Sequence, residues 1–97
     1  MARMRSPLRW EILLEYLQYR YGYVRLPGYD LRGVNWVLFD LTNADLRDAD
    51  LSDADLRHTS LINADLRGAV LRNTDLREAD LYNADMTNCY DEEAIYD

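Results

Sequence analysis

Residues 29–88 of this chain read YDLRG VNWVL FDLTN ADLRD ADLSD ADLRH TSLIN ADLRG AVLRN TDLRE ADLYN ADMTN when they are divided into fives. The third position of these twelve pentads is leucine in ten, and the exceptions are Trp36 and Met86. The first position is alanine or threonine in every pentad from Ala44 onward, and the second is aspartate in nine. The pentad is therefore the unit from which the fold must be built.

A period of five fits neither regular element. On an α-helix, steps of five residues advance by about 140°, so the leucines would spread around the whole circumference. On a flat strand, an odd spacing sends alternate leucines to opposite faces. Both conflicts disappear if the backbone turns a corner in each pentad, because every leucine then points to a common axis. Four corners make one coil of twenty residues, so twelve pentads predict about three coils stacked at a strand spacing of about 4.8 Å.

The pattern A-D-L-x-x over residues 29–88 resembles that of the pentapeptide-repeat family. The resemblance implies an all-β solenoid, a right-handed quadrilateral β-helix in which the first and third residues of each pentad point inward. It also implies that the aspartate before each leucine lies at a corner, where its carboxylate accepts backbone N–H groups. The first coil departs from the pattern, because Tyr29, Val34 and Phe39 replace the small residue. We expect this coil to be wider and to meet a cap.

Residues 1–28 are predicted to form an N-terminal arm, a capping α-helix and a connector. Ser6 and Pro7 suit the N-cap and first position of a helix that extends to about Tyr21. At 100° per residue the helix carries two apolar stripes, and we expect the first to cover the first coil. The first stripe consists of Trp10, Leu13, Leu14, Leu17 and Tyr21. The second consists of Leu8, Ile12, Tyr16 and Tyr19.

Both ends of the chain leave an alternative open. The second stripe either packs on the Val24–Tyr29 connector or docks another subunit or protein. Residues 89–97, CYDEEAIYD, form an acidic C-terminal tail that either folds over the last coil or leaves it for a second molecule. A homodimer through the C-terminal coil or through the capping helix is therefore an expectation.

Outward residues twenty apart stack into columns, and one face of the predicted solenoid carries no arginine. Thr42, Ile62 and Tyr82 form a flat strip on this face, which suits a protein partner. The column beside the strip consists of Asn43, Asn63 and Asn83. These asparagines either form a stabilising amide ladder or accompany a binding face. A face without any role is the remaining interpretation.

Charge is distributed unevenly along the chain, whose formal net charge is −7. Residues 1–28 carry five Arg against two Glu, residues 29–88 carry six Arg against twelve acids, and residues 89–97 carry four acids and no base. One cysteine excludes an internal disulfide, and no apolar run approaches the roughly 18 residues of a membrane span. No cleavage site follows the first residues, so we expect a cytoplasmic protein.

No catalytic, cofactor-binding or metal-ligating constellation emerges from the residues. His58, the single histidine, is expected to pair with Glu78 on the surface twenty residues on. Cys89 falls at the inward position of a thirteenth pentad, so it is predicted to fill space rather than to act as a nucleophile. Glycine-rich phosphate loops and metal-ligand spacings are absent from the sequence. We therefore expect no enzyme activity, no cofactor and no metal.

The sequence favours a small, non-catalytic protein–protein interaction or scaffold module. The alternative is a DNA mimic that modulates a type II topoisomerase such as DNA gyrase, because some family members are acidic rods of this kind. Duplex DNA presents about eight charges over the predicted ~14 Å height, whereas each face here carries a net charge of −1 or −2 with arginines interspersed. An arm of Arg3, Arg5 and Arg9 leaves a membrane-surface or nucleic-acid role as a further alternative. We expect no direct nucleic-acid binding and no membrane.

Overall fold

The computed structural model of this chain describes residues 10–97. A single α-helix in that range, α1 (Trp10–Tyr21), is followed by a continuous solenoid. The solenoid is held by isolated parallel bridges, one in each pentad, and each bridge joins a residue to the residue twenty positions later. One coil therefore contains twenty residues and four bridges, which confirms the solenoid predicted from the leucine spacing.

The solenoid extends beyond both predicted boundaries. Bridges begin at Arg25↔Asp45 and continue to Asp75↔Ile95, whereas the predicted range was 29–88. Val24 and Leu26 are fully or almost fully buried, because they occupy the inward first and third positions of an additional pentad. Residues 24–28 are thus the start of the first coil rather than a connector, and the residues after 88 continue the coil rather than form a separate tail. The predicted helix start at Ser6 and Pro7 lies outside the described residues.

Each pentad contains the same turn, which the sequence analysis did not identify. The N–H of a first-position residue donates to the carbonyl of the third-position residue before it, as in Ala44 N to Leu41 O at 3.0 Å. The fifth-position residue between them has a positive φ in every pentad from Gly28 to Glu93. A left-handed residue at this point is the requirement of a type II turn, and Gly, Asn and Asp tolerate it best. This explains the frequent Asn, Asp and Gly at the fifth position.

The core consists of the third- and first-position side chains. Leucines at the third position from Leu41 to Leu76 are at most 2% exposed, and Trp36 is fully buried. The first position is filled by buried alanines and two buried threonines. The Thr59 hydroxyl donates to Trp36 O and the Thr74 hydroxyl to Leu51 O, each at 2.7 Å, so these two hydroxyls are satisfied, whereas the buried Trp36 Nε1 has no hydrogen-bond partner among residues 10–97.

The second-position side chains accept backbone N–H groups, as the family resemblance implies, but these residues form the bridges between coils, and the corners are the turns at the fourth and fifth positions. Asp40 Oδ1 accepts the N–H of Thr42 at 3.0 Å, and Asp50 Oδ1 accepts that of Ser52 at the same distance. The same Asx turn recurs along the solenoid. Its other acceptors are Asp30, Asn35, Asp45, Asp55, Asp65, Asp75, Asp80 and Asp85.

Helix α1 covers the first coil. Leu14 is buried, Trp10 and Leu17 pack against the core, and the Trp10 ring meets Trp36 edge to face at 5.4 Å between centroids. Tyr21 was predicted to belong to the same contact, but its side chain is more than half exposed. Tyr21 is the last residue of α1.

The first coil accommodates two of the three large first-position residues that the sequence analysis assigned to it. Val34 and Phe39 pack against the core, and the Phe39 ring stacks on Trp36 at 6.2 Å between centroids. The expectation that Tyr29 also points inward is wrong, because its side chain is more than half exposed. The corresponding inward position in the next coil is filled by the methyl group of Ala49, and a phenol keeps its hydroxyl hydrated by staying outside.

Candidate interaction surfaces

The outer face of α1 is an exposed apolar surface formed by Ile12, Tyr16 and Tyr19. These residues are four and three positions apart, so they lie on one side of the helix. Tyr19 is 88% exposed, and Ile12 and Tyr16 are each more than half exposed. The interpretation in which they pack on residues 24–29 is therefore wrong, because Val24 and Leu26 face the solenoid interior instead. Leu8, predicted for the same stripe, lies outside the described residues.

The strip formed by Thr42, Ile62 and Tyr82 is brought together as predicted by the twenty-residue register. The N–H groups of Asn43 and Asn63 donate to Ile62 O and Tyr82 O at 2.8 and 2.9 Å, so the three positions lie in successive coils. Only Tyr82 is largely exposed, at 69%. Ile62 is half-buried, and the Thr42 hydroxyl is within 2.8 Å of Ser60 Oγ. The strip thus consists of one largely exposed aromatic ring, that of Tyr82, beside the half-buried side chain of Ile62.

The asparagine column beside the strip has a backbone role. Asn43, Asn63 and Asn83 have φ angles of 65°, 60° and 59°, the left-handed conformation that asparagine tolerates. No hydrogen bond joins their side-chain amides within residues 10–97. The turn geometry therefore explains this column, and an amide ladder is not needed to account for it.

Arginines at the fourth position pair with second-position carboxylates. The Arg47 guanidinium donates from Nε and Nη2 to the two carboxylate oxygens of Asp45, at 2.8 and 2.7 Å. Arg57 and Asp55 form the same two-pronged pair. Hydrogen bonds from Arg47 hold the pKa of Asp45 below its usual value, because they favour the ionised carboxylate. The carboxylates of Asp45 and Asp55 are therefore paired with arginines rather than free.

The same arginines also connect successive coils. Arg47 Nε is 3.8 Å from Asp65 Oδ2, and Arg67 Nε is 3.8 Å from Asp85 Oδ2. Arg25 begins this ladder at 3.9 Å from Asp45. Exposed ion pairs of this kind contribute little individually, and this ladder occupies the carboxylates of Asp45, Asp65 and Asp85.

The C-terminal end of the solenoid is apolar and acidic. Tyr90, Ile95 and Tyr96 are exposed there, and Tyr96 donates from its hydroxyl to Asp91 Oδ2 at 3.0 Å. Partial burial and this hydrogen bond raise the pKa of Tyr96 to about 12. The carboxylate of Asp97 accepts the N–H of Glu78 at 2.9 Å. Aromatic rings and carboxylates thus share this end.

The profile of the family described as "Pentapeptide repeats" matches residues 30–61 and 54–90, with eight copies. This chain belongs to the pentapeptide-repeat family. The comparison with curated proteins found no match.

Solved pentapeptide-repeat structures resemble this chain. QnrB1, described as a plasmid-mediated fluoroquinolone resistance protein, matches with a TM-score of 0.55 and 19% identity over 65% of this chain and 34% of QnrB1. This chain thus spans about a third of QnrB1, and at this identity the likeness shows a shared fold. Alr5209 from Nostoc PCC 7120 has a TM-score of 0.48 and 28% identity, over 87% of this chain and 84% of its own. HetL from Nostoc sp. strain PCC 7120, described as involved in heterocyst differentiation regulation, has a TM-score of 0.48 and 26% identity, over 67% and 44%.

Residues with catalytic potential are dispersed over this pentapeptide-repeat solenoid. His58 is exposed, and the expected ion pair with Glu78 is not among those formed by residues 10–97. Cys89 is half-buried, its thiol lies 2.9 Å from Leu66 O, and burial raises the thiol pKa, which agrees with a space-filling role. The described residues contain no cluster of ligands for a metal ion. From Trp10 onward, no helix has the length and apolar character that crossing a bilayer requires.

One exposed residue near α1, Leu38, was missed by the sequence analysis. Leu38 is 75% exposed and has a φ of 67°, although leucine is poorly suited to that conformation. It lines a groove with Phe39 and the α1 residues Leu14 and Gln18. The pentad frame contained the signal, because Leu38 is an apolar residue at an outward fifth position.

Proposed function

We propose that this pentapeptide-repeat protein is a non-catalytic protein–protein interaction or scaffold module. The observation that carries the proposal is the outer face of α1, where Ile12, Tyr16 and Tyr19 expose apolar and aromatic surface. A helix that only covered the first coil would need one apolar face, and α1 has two. Tyrosine is enriched in protein interfaces because its ring buries area while its hydroxyl still forms hydrogen bonds.

The fold suits this role. We take the coil to be a right-handed four-sided β-helix, and the four bridges per twenty residues support the four sides. A scaffold of this kind holds outward side chains at fixed spacing, so a partner meets a surface that is already ordered. The strip of Thr42, Ile62 and Tyr82 is the second candidate surface on the same scaffold. A cytoplasmic location and the absence of direct nucleic-acid or membrane binding belong to the same proposal.

Affinity capture from the native host tests the proposal when three baits are compared by mass spectrometry. The baits are the unaltered chain, Ile12→Glu/Tyr16→Glu and Ile62→Arg/Tyr82→Arg, each checked for its fold by circular dichroism. A partner that one altered bait loses and the other retains identifies the surface used. Equal capture by all three folded baits would contradict both candidate surfaces.

DNA mimicry draws less support from the structure. A mimic needs free carboxylates at about the density of DNA phosphates, one per ~1.7 Å. The Asp45 and Asp55 carboxylates each accept hydrogen bonds from an arginine instead. The likeness to QnrB1 bears on the fold alone. A supercoiling assay with purified DNA gyrase tests this alternative directly. Inhibition or protection of the enzyme by micromolar protein would revive it.

A further inference from the structure

We infer that the groove between α1 and the first coil binds an arginine side chain presented by a partner protein. Of the described residues that line this groove, three are acidic and none is basic. The inference goes beyond the proposed function, because no residue of the outer face of α1 or of the strip of Thr42, Ile62 and Tyr82 lines the groove. Each of the two can therefore fail without the other.

The floor of the groove is apolar and is held in place by packing. Leu14, Leu38 and Phe39 line it, and Leu14 is buried. The Phe39 ring stacks on Trp36 at 6.2 Å between centroids, and Trp36 is fully buried in the core. A surface that is ordered before a ligand arrives loses less conformational entropy on binding. The floor is therefore prepared for an apolar stem.

The edges of the groove carry two carboxylates without a cationic partner. Glu15 lies on α1 and Asp40 on the first coil, and no ion pair within residues 10–97 involves either carboxylate. The pentad of Asp40 has Thr42 at its fourth position, where the next pentad has the arginine that pairs with Asp45. Gln18, one helical turn from Glu15, donates to the Asp40 carbonyl at 3.2 Å. The two carboxylates thus lie on facing edges of one groove.

Leu38 keeps an exposed apolar side chain in a backbone conformation that disfavours it. Its φ is 67°, and it is 75% exposed. The equivalent residues in the next two coils are polar, His58 and Glu78. Disfavoured backbone conformations of this kind are concentrated at ligand sites, where a bound group offsets their cost. Contact with a bound side chain would supply that compensation at Leu38.

Arginine fits these features better than other side chains. Its planar guanidinium packs against an aromatic ring such as that of Phe39, offers N–H groups to two carboxylates, and is more weakly hydrated than an ammonium group. Its aliphatic stem can lie along Leu38. The groove has a volume of about 260 Å³, below the range of about 300–1,000 Å³ that is usual for small-molecule sites. This size favours one side chain of a larger partner.

Titration of the isotope-labelled chain with short peptides, followed by NMR, tests the inference. The probe is acetyl-Gly-Leu-Arg-Leu-Gly-amide, and peptides with lysine or citrulline in place of the arginine are matched to it. We expect millimolar arginine peptide to shift the amide resonances of Glu15, Leu38 and Asp40 saturably. The lysine peptide should bind about threefold more weakly and the citrulline peptide about tenfold more weakly, because citrulline keeps the shape of arginine and lacks its charge.

Three variants locate the binding. Leu38→Asn should weaken the arginine peptide about tenfold while the variant becomes more resistant to urea, so unfolding would not explain the loss. Glu15→Gln and Asp40→Asn should each weaken it about threefold. Asparagine preserves the turn at position 40, because Asn35 accepts the equivalent N–H in its own pentad. Asp80→Asn is the matched control and should bind normally, since that pentad also lacks an arginine and forms the same Asx turn two coils away.

Four results would overturn the inference. The first is no shift at the groove residues with the arginine peptide at about 10 mM, and the second is an equal shift with the citrulline peptide. The third is an equal loss of affinity in Asp80→Asn and Asp40→Asn, since the attraction would then come from the acidic surface as a whole. The fourth is a groove that accepts the peptide only after Arg3→Gln and Arg5→Gln, because the chain's own N-terminal segment would then be the occupant.

Discussion

The side-chain amide of Gln18 donates a hydrogen bond of 3.2 Å to the backbone carbonyl of Asp40. In the next coil the equivalent carbonyl, Ser60 O, accepts the N–H of Leu41 at 2.8 Å. The helix therefore supplies through a side chain the donor that a preceding coil would supply through its backbone. This hydrogen bond satisfies one backbone carbonyl at an end of the solenoid, where the carbonyls otherwise lack a neighbouring coil.

Replacement of Gln18 by alanine should destabilise the protein by about 1 kcal/mol, because the Asp40 carbonyl loses its donor. The measurement is the free energy of unfolding in urea, followed by circular dichroism. Glu15→Ala is the control on the same helix, since Glu15 is exposed and this change should cost less than about 0.5 kcal/mol. Equal effects of the two substitutions would contradict a capping role for Gln18.

Replacement of Leu38 by asparagine should stabilise the protein by about 1 kcal/mol. Leu38 has a φ of 67°, a conformation that asparagine adopts at lower cost, and the substitution also removes an exposed apolar side chain. The reverse change at an equivalent turn, Asn63→Leu, should lose a similar amount. Urea unfolding of both variants checks this, and a Leu38→Asn variant less stable than the unaltered chain would refute it.

Alanine at Gly68 should cost more than alanine at Gly33. Both glycines have a φ of 71°, so either substitution places an alanine in the left-handed conformation and lowers the free energy of unfolding. A Cβ at Gly68 would also meet the Asp48 carboxylate, whereas one at Gly33 meets nothing within 4 Å. Because this carboxylate is the end of an exposed, flexible side chain that can rotate away, we expect the additional cost at Gly68 to be below about 0.5 kcal/mol. Thermal or urea unfolding measures the difference.

If the Asp48 carboxylate causes the difference between the two glycine sites, removing that carboxylate should abolish the difference. In an Asp48→Gly background, Gly68→Ala should therefore cost about as much as Gly33→Ala does in the unaltered chain. If Gly68→Ala still costs more than Gly33→Ala in this background, the Asp48 carboxylate is not the cause of the difference.

Stability should fall as the pH is lowered from about 4 to 2. Hydrogen bonds from Arg77 lower the pKa of Asp75 from 3.8 to about 2, and Arg32 lowers that of Asp30 to about 2 in the same way. A carboxyl group with a lowered pKa in the folded state stabilises the protein above its unfolded pKa, and this contribution disappears as the pH falls through the folded value. Urea midpoints measured at pH 5, 4, 3 and 2 test the slope.

Substitution of Asp75 by asparagine should reduce that slope, because the amide does not titrate. Asp53→Asn is the matched control, since the Asp53 carboxylate forms no hydrogen bond or ion pair with residues 10–97. An equal slope in the Asp75→Asn variant and the unaltered chain would be inconsistent with the prediction.

The leucine spacing was sufficient to predict the solenoid and its twenty-residue register, whereas the hydrogen bonds from backbone N–H groups to the aspartate carboxylates were expected from the resemblance to the pentapeptide-repeat family. The left-handed turns were missed, although Asn43 and Gly68 at the fifth position were a visible signal. The end boundaries were also misplaced. Val24 and Leu26 fill the same inward positions as alanine and leucine, but the pentad that they form lacks the usual aspartate.

The candidate surfaces were predicted with less success than the fold. Helical periodicity grouped Ile12, Tyr16 and Tyr19, but their exposure depended on whether residues 24–28 entered the coil or covered the helix. Tyr21 followed the apolar stripe in sequence, yet it lies at the end of α1. Contacts of this kind depend on where two elements stop relative to each other, which a local pattern does not encode.

The bridges between residues twenty apart restrict how the molecule can change in length. A tandem duplication of twenty codons adds one complete coil and keeps every column of side chains on its original face. An insertion of five codons preserves each turn but moves all later residues to the adjacent face, so it scrambles the surface without disturbing the interior. An insertion whose length is not a multiple of five disrupts the leucine frame. Lineages that conserve a binding surface should therefore lengthen or shorten this solenoid by whole coils.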